Sequence, residues 1–202
     1  DLHSDTHSFP TRRSSDLLLA GRAVGAGHIL VGVEDNKPEA IRALRAACQR
    51  TNVRIVQVAT KYPQGGEKQL IRSTLGRTVP TGGLPLDVGV VVMNVGTSAA
   101  VYQAVVHGRP LTHRVVSVSG RGIREPKNLL VPVGASYSTL ISACGGLTDD
   151  ATRAIAGGPM MGFAVGDLEA PVTKGTSGLL VMTSEEASRR EETPCVRCGR
   201  CV

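Results

Sequence analysis

The sequence has very few aromatic residues. Its 202 residues include no Trp, three Tyr and two Phe. Proteins that hold single-stranded nucleic acid stack its bases on aromatic side chains, so the net charge of +6 does not by itself indicate that function. The basic residues are also scattered along the chain, and we expect them to form a solvated surface or to face acidic protein partners. Nucleic acid is therefore not an expected partner.

Long uninterrupted apolar segments are also lacking. The longest apolar stretch, residues 84–106, is broken by Asp87, Asn94, Gly96 and Ser98. A membrane-spanning helix needs about 20 consecutive apolar residues. No direct membrane span is expected, and no secretory signal is recognisable in the sequence.

Cysteines are few and unevenly placed. Three of the five lie in the last eight residues, whereas Cys48 and Cys144 stand alone in apolar surroundings. Free cysteines in such surroundings act as small apolar core residues, and we predict this role for both. The distribution does not indicate a disulfide scaffold, and it fits a reducing compartment.

The first seventeen residues differ in character from the rest. Residues 1–17 show no helical or strand periodicity and are rich in Ser, Asp and His. They resemble the translated sequencing-adapter read-through found at the start of many metagenomic reading frames. We interpret them as a non-native tail and expect them to contribute nothing to activity.

A strand–helix–strand pattern follows this tail. Residues 28–34 form a continuous apolar run that is typical of a buried parallel strand, and residues 53–59 are predicted as the next strand. Between them lies an amphipathic helix with Asn36 as the predicted N-cap. Ligand sites of such βαβ units gather at the carboxyl ends of the strands, where the loops 34–37 and 60–66 fall.

Further elements are predicted along the rest of the chain. A helix is expected at 67–75, a loop at 75–87, a strand at 88–94 and a helix at 97–106. From His113 short strands alternate with small turns around a helix at 137–144, which predicts a compact α+β module. The domain boundary is expected near Leu111. A last strand is expected at 179–182.

The strongest local motif is the cysteine triplet at the end of the sequence. Cys195, Cys198 and Cys201 have the C-x2-C-x2-C spacing with which ferredoxin-type segments hold a [4Fe–4S] cluster. A fourth cysteine ligand is missing, so this chain by itself is expected to assemble a cluster poorly. Zinc is the alternative, although it normally takes paired cysteine knuckles or histidine partners.

A glycine pair precedes the predicted helix at 67–75. Gly65 and Gly66 allow close backbone approach, and the helix N-terminus offers N–H groups to anionic or carbonyl oxygens. Alone this is a weak signal, because most such pairs are simple turns. In combination it is specific: the motifs appear in the order VGVEDNKPEAI, KYPQGGEKQLI, GRTVPTGGLPLDVGVVVMNVGT, VVSVSGRG, GGPMMG, PVTKGTSGLLVM and PCVRCGRC.

This order resembles the C subunit of the Rnf/Rsx ion-translocating electron transport complexes, from Leu18 to Val202. That family is similar to the NADH-binding flavoprotein subunit of respiratory complex I. The resemblance implies an α/β flavoprotein lobe, a small α+β β-grasp module of the soluble-ligand-binding (SLBB) type and the start of a ferredoxin-like iron–sulfur segment. The implied boundaries are 18–111 for the N-terminally truncated flavoprotein domain, 112–163 for the β-grasp domain, 164–193 for a return segment and linker, and 194–202 for the [4Fe–4S] domain.

The resemblance also implies a flavin site. In the complex I relative, a Gly-Glu-Glu turn and an Asn-Asn-Val-Glu-Thr turn help to hold FMN. The matching residues here are Gly66, Glu67, Asn94 and Thr97. Lys68 and Gly96 stand where the complex I pattern has acids, so roles of those carboxylates do not transfer. The family's upstream glycine-rich flavin motif is absent, so this chain is expected to hold part of a flavin site and to be inactive alone.

The implied function is electron transfer. NADH is the implied substrate, FMN and [4Fe–4S] clusters are the implied cofactors, and the family's complex couples NADH and ferredoxin chemistry to ion translocation. The implied partners are the other Rnf/Rsx subunits and ferredoxin or another redox protein, at the cytoplasmic face of the bacterial inner membrane. Two alternatives remain open: a cobalamin-reductase type of flavin and iron–sulfur protein, and a non-catalytic β-grasp binding module with a zinc site.

Overall fold

The computed structural model describes residues 13–187. These residues form two compact units, one of residues 13–111 and one of residues 112–187. The cysteine triplet and the predicted [4Fe–4S] segment 194–202 lie outside the described residues.

The first unit contains a parallel strand pair and four helices. Its elements are α1 (Arg13–Ala23), β1 (Ile29–Glu34), α2 (Pro38–Cys48), β2 (Val53–Val58), α3 (Glu67–Leu75), a 3-10 turn (Pro85–Val88) and α4 (Val95–His107). β1 and β2 pair in parallel, from Ile29 opposite Val53 to Glu34 opposite Val58. This parallel pairing confirms the predicted βαβ unit. Two strands separated by one amphipathic helix can pair in parallel when the helix forms the crossover between them.

The amphipathic stripe of α2 forms the core of this unit. Leu44 and Cys48 pack with Val31 of β1 and Val53 of β2. The predicted N-cap was wrong by one residue, because the helix is preceded by Lys37 and no described side chain caps it. Pro38 begins the helix, and its fixed φ angle suits the first helical position.

Helix α1 crosses the predicted end of the non-native tail. It begins at Arg13, so residues 13–17 are helical, although no periodicity predicted this. Leu17 packs against the core that α2 forms, and Asp16 is buried. The packing of Leu17 on this core accounts for helical structure before Leu18, the residue that follows the predicted end of the tail. The origin of residues 1–17 stays a prediction.

The strand predicted at 88–94 was wrong. After the 3-10 turn, residues 90–94 pair with no other described segment and run directly into α4. Their apolar side chains are not fully covered: Val91 and Met93 are 49% and 40% exposed. A run such as VVVM is typical of a strand, but a strand exists only where a partner offers hydrogen bonds.

The second unit is a mixed sheet with one helix. Its elements are β3 (His113–Ser119), β4 (Lys127–Pro132), α5 (Tyr137–Ala143), β5 (Ala151–Ala156), β6 (Phe163–Ala164) and β7 (Gly178–Thr183). The strand order is β4-β3-β7-β5-β6. α5 is capped by Ser136, whose Oγ accepts a hydrogen bond from the Thr139 N–H, and it buries Tyr137 and Leu140 against the sheet.

Strand β7 belongs to the centre of this sheet. It pairs in parallel with β3 and antiparallel with β5, and its Leu179 and Val181 are buried. The return segment predicted at 164–193 therefore contributes β7 to the sheet that residues 112–163 begin, and the domain boundaries themselves stay predictions. The parallel partner of β7, strand β3, lies about sixty residues earlier in the chain. The alternation of apolar and polar residues within one strand does not show which distant strand pairs with it.

Candidate functional site

The carboxyl ends of β1 and β2 are joined by hydrogen bonds between their loops. Thr60 Oγ1 and the Thr60 N–H donate to Asp35 Oδ1 at 2.5 and 3.0 Å. The Asp35 N–H donates to the Val58 carbonyl at 2.9 Å, and the Asn36 N–H donates to Thr60 Oγ1 at 3.3 Å. The two loops expected at this edge therefore form one connected surface.

These hydrogen bonds stabilise the ionised form of Asp35. The hydrogen bond from the Thr60 hydroxyl has the largest effect and the one from the Thr60 N–H the second largest. Together they hold the pKa of this carboxyl below its ordinary value of 3.8. A carboxyl whose pKa is lowered in the folded state stabilises the fold above its ordinary pKa. That contribution is lost as the pH falls through the folded-state pKa.

Replacing Thr60 by Val is expected to remove this acid-dependent contribution. At pH 7 the urea midpoint of Thr60→Val should lie below that of the unmodified protein, because Asp35 loses its strongest hydrogen bond. The difference should shrink as the pH falls from 3.8 through the lower folded-state pKa of Asp35, because the ionised carboxylate that Thr60 stabilises is then lost. Thr81→Val, at an exposed residue outside this contact, serves as the control. A difference that stays constant from pH 7 down to that range would contradict the assignment.

The turn before α3 carries the first two predicted flavin residues. Gly66 precedes the helix in an extended conformation, and its N–H donates to the Pro63 carbonyl at 2.7 Å. The buried Gln64 side chain donates to the Ser73 hydroxyl and thereby fixes the turn to α3. Glu67 is exposed in the first helical turn, and no described side chain caps the helix. The first N–H groups of α3 are thus open to an external acceptor.

The turn before α4 contains the other two predicted flavin residues, Asn94 and Thr97. Asn94 is the N-cap, and its Oδ1 accepts from the Gly96 N–H at 2.9 Å. The Thr97 N–H donates to the Asn94 carbonyl at 2.9 Å, so Thr97 lies inside the helix and is not an N-cap. Both side chains are exposed. One N–H of this helix terminus is therefore already satisfied, in contrast to α3.

A cavity of about 500 Å³ lies in the first unit, next to the start of α4. Its wall is formed by residues 24–32, by residues 89–93 and by residues of α1, α3 and α4. None of the four predicted flavin residues lines it. Ser98 does line it, is only 3% exposed, and its Oγ has no hydrogen-bond partner among residues 13–187. Sequence reasoning did not single out Ser98, because one Ser in a helix resembles any other.

Metal ligation is not visible in the part of the chain that the structure describes. Within residues 13–187 no three His, Cys, Asp or Glu side chains converge to hold a metal ion. Cys48 and Cys144 are both buried in apolar cores, as predicted, and burial raises the pKa of each thiol. They therefore stay protonated at neutral pH, which makes them poor ligands and poor nucleophiles.

The helices between Arg13 and Ala187 are short or polar. None of them is both long enough and apolar enough to cross a membrane.

Comparison with known proteins agrees with this architecture. Residues 15–103 match the Nuo51 FMN-binding domain, and residues 115–164 match the SLBB domain. The chain thus contains an α/β domain similar to the Nuo51 FMN-binding domain, followed by an SLBB domain, as expected for these two parts of the fold. An iron–sulfur domain is not among the matches, and that segment stays a prediction.

Similar proteins identify the family. The chain is 47% identical over 194 residues to the C subunit of the proton-translocating ferredoxin:NAD(+) oxidoreductase complex of Clostridium ljungdahlii, a match that covers 94% of this chain and 42% of that protein. It is 43% identical over 187 residues to the Na(+)-translocating counterpart of Acetobacterium woodii, covering 92% of this chain and 42% of the relative. For the C subunit of the ion-translocating oxidoreductase complex of Rhodobacter capsulatus the identity is 43% over 188 residues, with coverages of 91% and 36%.

The chain belongs to the family formed by the C subunits of ion-translocating oxidoreductase complexes, as the order of its motifs predicted. It spans about two fifths of the length of the curated relatives it matches.

The residues present fit FMN in part. The uncapped N-terminus of α3 suits an anionic or carbonyl oxygen, and Gly66 keeps the approach to it free of a side chain. At α4 Asn94 Oδ1 already accepts from the Gly96 N–H, so the NH2 group and the second lone pair of Oδ1 remain for a ligand.

Proposed function

We propose that this chain is part of an electron-transfer subunit that passes electrons from NADH through FMN to [4Fe–4S] clusters. The complex would couple NADH and ferredoxin chemistry to ion translocation, with this subunit attached peripherally at the cytoplasmic face of the bacterial inner membrane. Other subunits of the complex and ferredoxin or another redox protein would be its partners. The observation that carries the proposal is the Nuo51 FMN-binding match over the domain that contains both candidate turns.

The α3 turn would hold the flavin most directly. When bound, FMN supplies the exchange between two-electron hydride chemistry and single-electron transfer. Gly66 leaves room at the helix terminus, and the free N–H groups there would donate to an oxygen of the ring or the ribityl chain. Glu67 adds a carboxylate at a position where the helix dipole favours negative charge.

The α4 turn would hold the opposite end of the ligand. Asn94 and Thr97 are exposed at the helix terminus, and we assign both to the ribityl and phosphate groups. Thr97 would donate its hydroxyl, and Asn94 its amide NH2, since its Oδ1 already accepts from the Gly96 N–H.

The substitution Glu67→Gln in the full-length subunit tests the role of the carboxylate. FMN content is expected to stay near that of the unmodified subunit, because Glu67 is exposed and Gln has the same shape. NADH-dependent flavin reduction is expected to slow by about 10- to 100-fold, because a charge positioned at the reacting group is lost. Flavin content follows from the absorbance of the released FMN, and reduction is followed by stopped flow.

Glu39→Gln is the matched control for this experiment. Glu39 is also an exposed acid in the first turn of a helix, α2, and should change neither quantity. If Glu67→Gln reduces its flavin as fast as the control does, the carboxylate has no part in the reaction.

A further inference from the structure

Two loops lie side by side at one end of the sheet in the second unit. Residues 157–162, the GGPMMG loop, join β5 to β6, and residues 173–177 lead into β7. The Gly157 N–H donates to the Gly178 carbonyl at 2.8 Å and so joins the two loops. β3 is parallel to β7 and therefore begins at the same end of the sheet.

The GGPMMG loop and the start of β6 expose an apolar surface at this end. Met160, Met161 and Phe163 are 68%, 83% and 69% exposed, the largest values of any large apolar side chain among the described residues. We call these three side chains the methionine surface. A Cβ atom on Gly162 would lie 2.6 Å from the Ala156 carbonyl oxygen, so the loop needs this glycine for its own shape. The three apolar side chains, in contrast, leave most of their surface in water, and such groups mark interaction sites.

Among the described residues, the ion pairs of the second unit all lie at the opposite end of its sheet. They join Arg121 to Glu185 and Glu186, Arg124 to Asp149, and Lys127 to Glu125. Beside the methionine surface, Arg114 of β3 and the exposed Lys174 form no ion pair within residues 13–187. Asp167 and Glu169, the acids nearest to Lys174 in the sequence, do not neutralise them either. One end of the sheet is thus internally neutralised and the other is cationic.

Arg114 adds a buried donor that lacks an acceptor. The alternation along β3 places Arg114 on the same side of the sheet as the buried Val116 and Val118. Its Nε atom is buried and has no hydrogen-bond partner in the described part of the chain. Buried donors are nearly always satisfied, and a guanidinium group is satisfied best by the two oxygens of a carboxylate. The partner that this end of the sheet calls for is therefore acidic.

We propose that this end of the second unit is the docking surface for another subunit of the complex, one that presents carboxylates around an apolar centre. The inference rests on the proposed function, from which it takes the complex. The methionine surface would form the apolar centre of the contact, and Arg114 and Lys174 would bind carboxylates at its rim. β3 and β6 are three strand spacings apart, or about 14 Å, so both parts fit within one interface of about 800 Å² per partner.

An apolar centre with a cationic rim favours a lasting contact with a protein. Met and Arg are enriched in protein interfaces, and the unbranched Met side chain adapts to an irregular partner surface. Permanent interfaces are also more apolar than transient ones. This favours a resident subunit over a soluble redox protein that binds and leaves.

Three other occupants fit the charges less well. A second copy of this chain would bring the same cations to the contact, and like charges repel across a two-fold interface. Residues 188–202 of this chain contain four Arg and two Glu, so they are basic as well. Anionic membranes are bound by clusters of about four to eight Lys or Arg, whereas Arg114 and Lys174 provide two cations.

Zero-length crosslinking of the isolated complex, with the full-length subunit in place, tests the contact. A carbodiimide joins a lysine amine to a carboxylate that touches it, and the reagent takes up the water released when the amide forms. Lys174 is expected to be joined to an Asp or Glu of another subunit. Lys127 is the internal control, because its partner Glu125, at 3.0 Å, lies in the same unit. Mass spectrometry of the crosslinked peptides identifies both partners.

A double substitution measures how much the surface contributes to binding. Met161→Ser combined with Lys174→Gln should weaken the binding of the full-length subunit to the complex depleted of it by about 10- to 100-fold at low salt. Leu147→Ser combined with Lys127→Gln is the matched control at the opposite end of the sheet, and its Kd should stay within about twofold. Thermal midpoints show whether either variant disturbs the fold.

A crosslink from Lys174 to another subunit, together with the loss of affinity, supports the assignment. Crosslinks of Lys174 that stay within this chain, that require an added soluble redox protein, or that fail to form while Lys127 is joined to Glu125 overturn it. Equal affinities of the two variants also overturn it, as does a loss confined to binding of vesicles that contain phosphatidylglycerol.

NADH-dependent flavin reduction separates this inference from the proposed function. Neither double variant is expected to change it, because both lie in the second unit and away from the candidate flavin turns. Its absence from the unmodified full-length subunit would contradict the proposed function. Its presence together with equal affinities would contradict the docking surface alone.

Discussion

Replacing any one of Cys195, Cys198 and Cys201 by Ser in the full-length subunit is expected to remove one [4Fe–4S] cluster, or about four iron atoms per subunit. The C-x2-C-x2-C spacing lets one short loop present three thiolates to one cluster. A Ser hydroxyl is a harder donor and is not ionised at neutral pH, so it does not substitute for a thiolate. Iron analysis and the EPR signal of the reduced protein measure the loss.

Cys48→Ala is the control for this series. Cys48 is buried in the core of the first unit, where its thiol stays protonated, so the iron content should not change. Metal analysis also decides between iron and zinc: a colourless protein with stoichiometric zinc would support the alternative of a non-catalytic module. Full iron content in all three Cys→Ser variants would show that these thiolates are not ligands.

Replacing Gly66 by Leu is expected to weaken FMN binding to the full-length subunit by about 10- to 100-fold. A Cβ atom at this position would lie 2.6 Å from Gln69 Oε1 and 3.1 Å from the Pro63 carbonyl oxygen. The Gln69 side chain can move, but a larger side chain must then project over the open N-terminus of α3. Forced contacts of this kind cost about 1–3 kcal/mol, which corresponds to the expected factor. Titration of flavin-free protein with FMN gives the Kd.

Gly65→Ala separates a steric effect on the ligand from damage to the turn. A Cβ atom on Gly65 would meet nothing within 4 Å, so this variant should bind FMN nearly as well as the unmodified subunit. The thermal midpoints of both variants report whether the turn itself is disturbed. If Gly66→Leu keeps its thermal midpoint and binds FMN normally, the flavin lies elsewhere.

Local sequence patterns were sufficient to predict most helices and strands. The strand at 53–59 is observed as Val53–Val58, and the helix at 67–75 is observed with the same limits. The signals for both are local: an apolar run between turns defines the strand, and Gly76, in a left-handed conformation, ends the helix. No partner elsewhere in the chain is needed to read either of them.

Pairing between distant segments was not predictable in this way. Residues 88–94 and Gly178–Thr183 both read as apolar strands, yet only the second has strand partners among the described residues. The difference lies in which segments stand beside them, and alternation within one segment contains no information about its neighbour. The assignment of Gly66, Glu67, Asn94 and Thr97 to a flavin stays a prediction, because it came from resemblance and not from convergence on one cavity.

Some properties of this protein follow from its sequence alone. The order of its motifs indicates the family, and two apolar runs around one amphipathic helix define the parallel pair β1 and β2. The tertiary structure alone decided that Thr60 holds Asp35, that β7 lies at the centre of the second sheet and that the buried Ser98 faces a cavity without a partner among the described residues. Periodicity encodes which face of an element is apolar. Hydrogen-bond partners and strand neighbours depend on atoms distant in the chain, which only the folded molecule brings together.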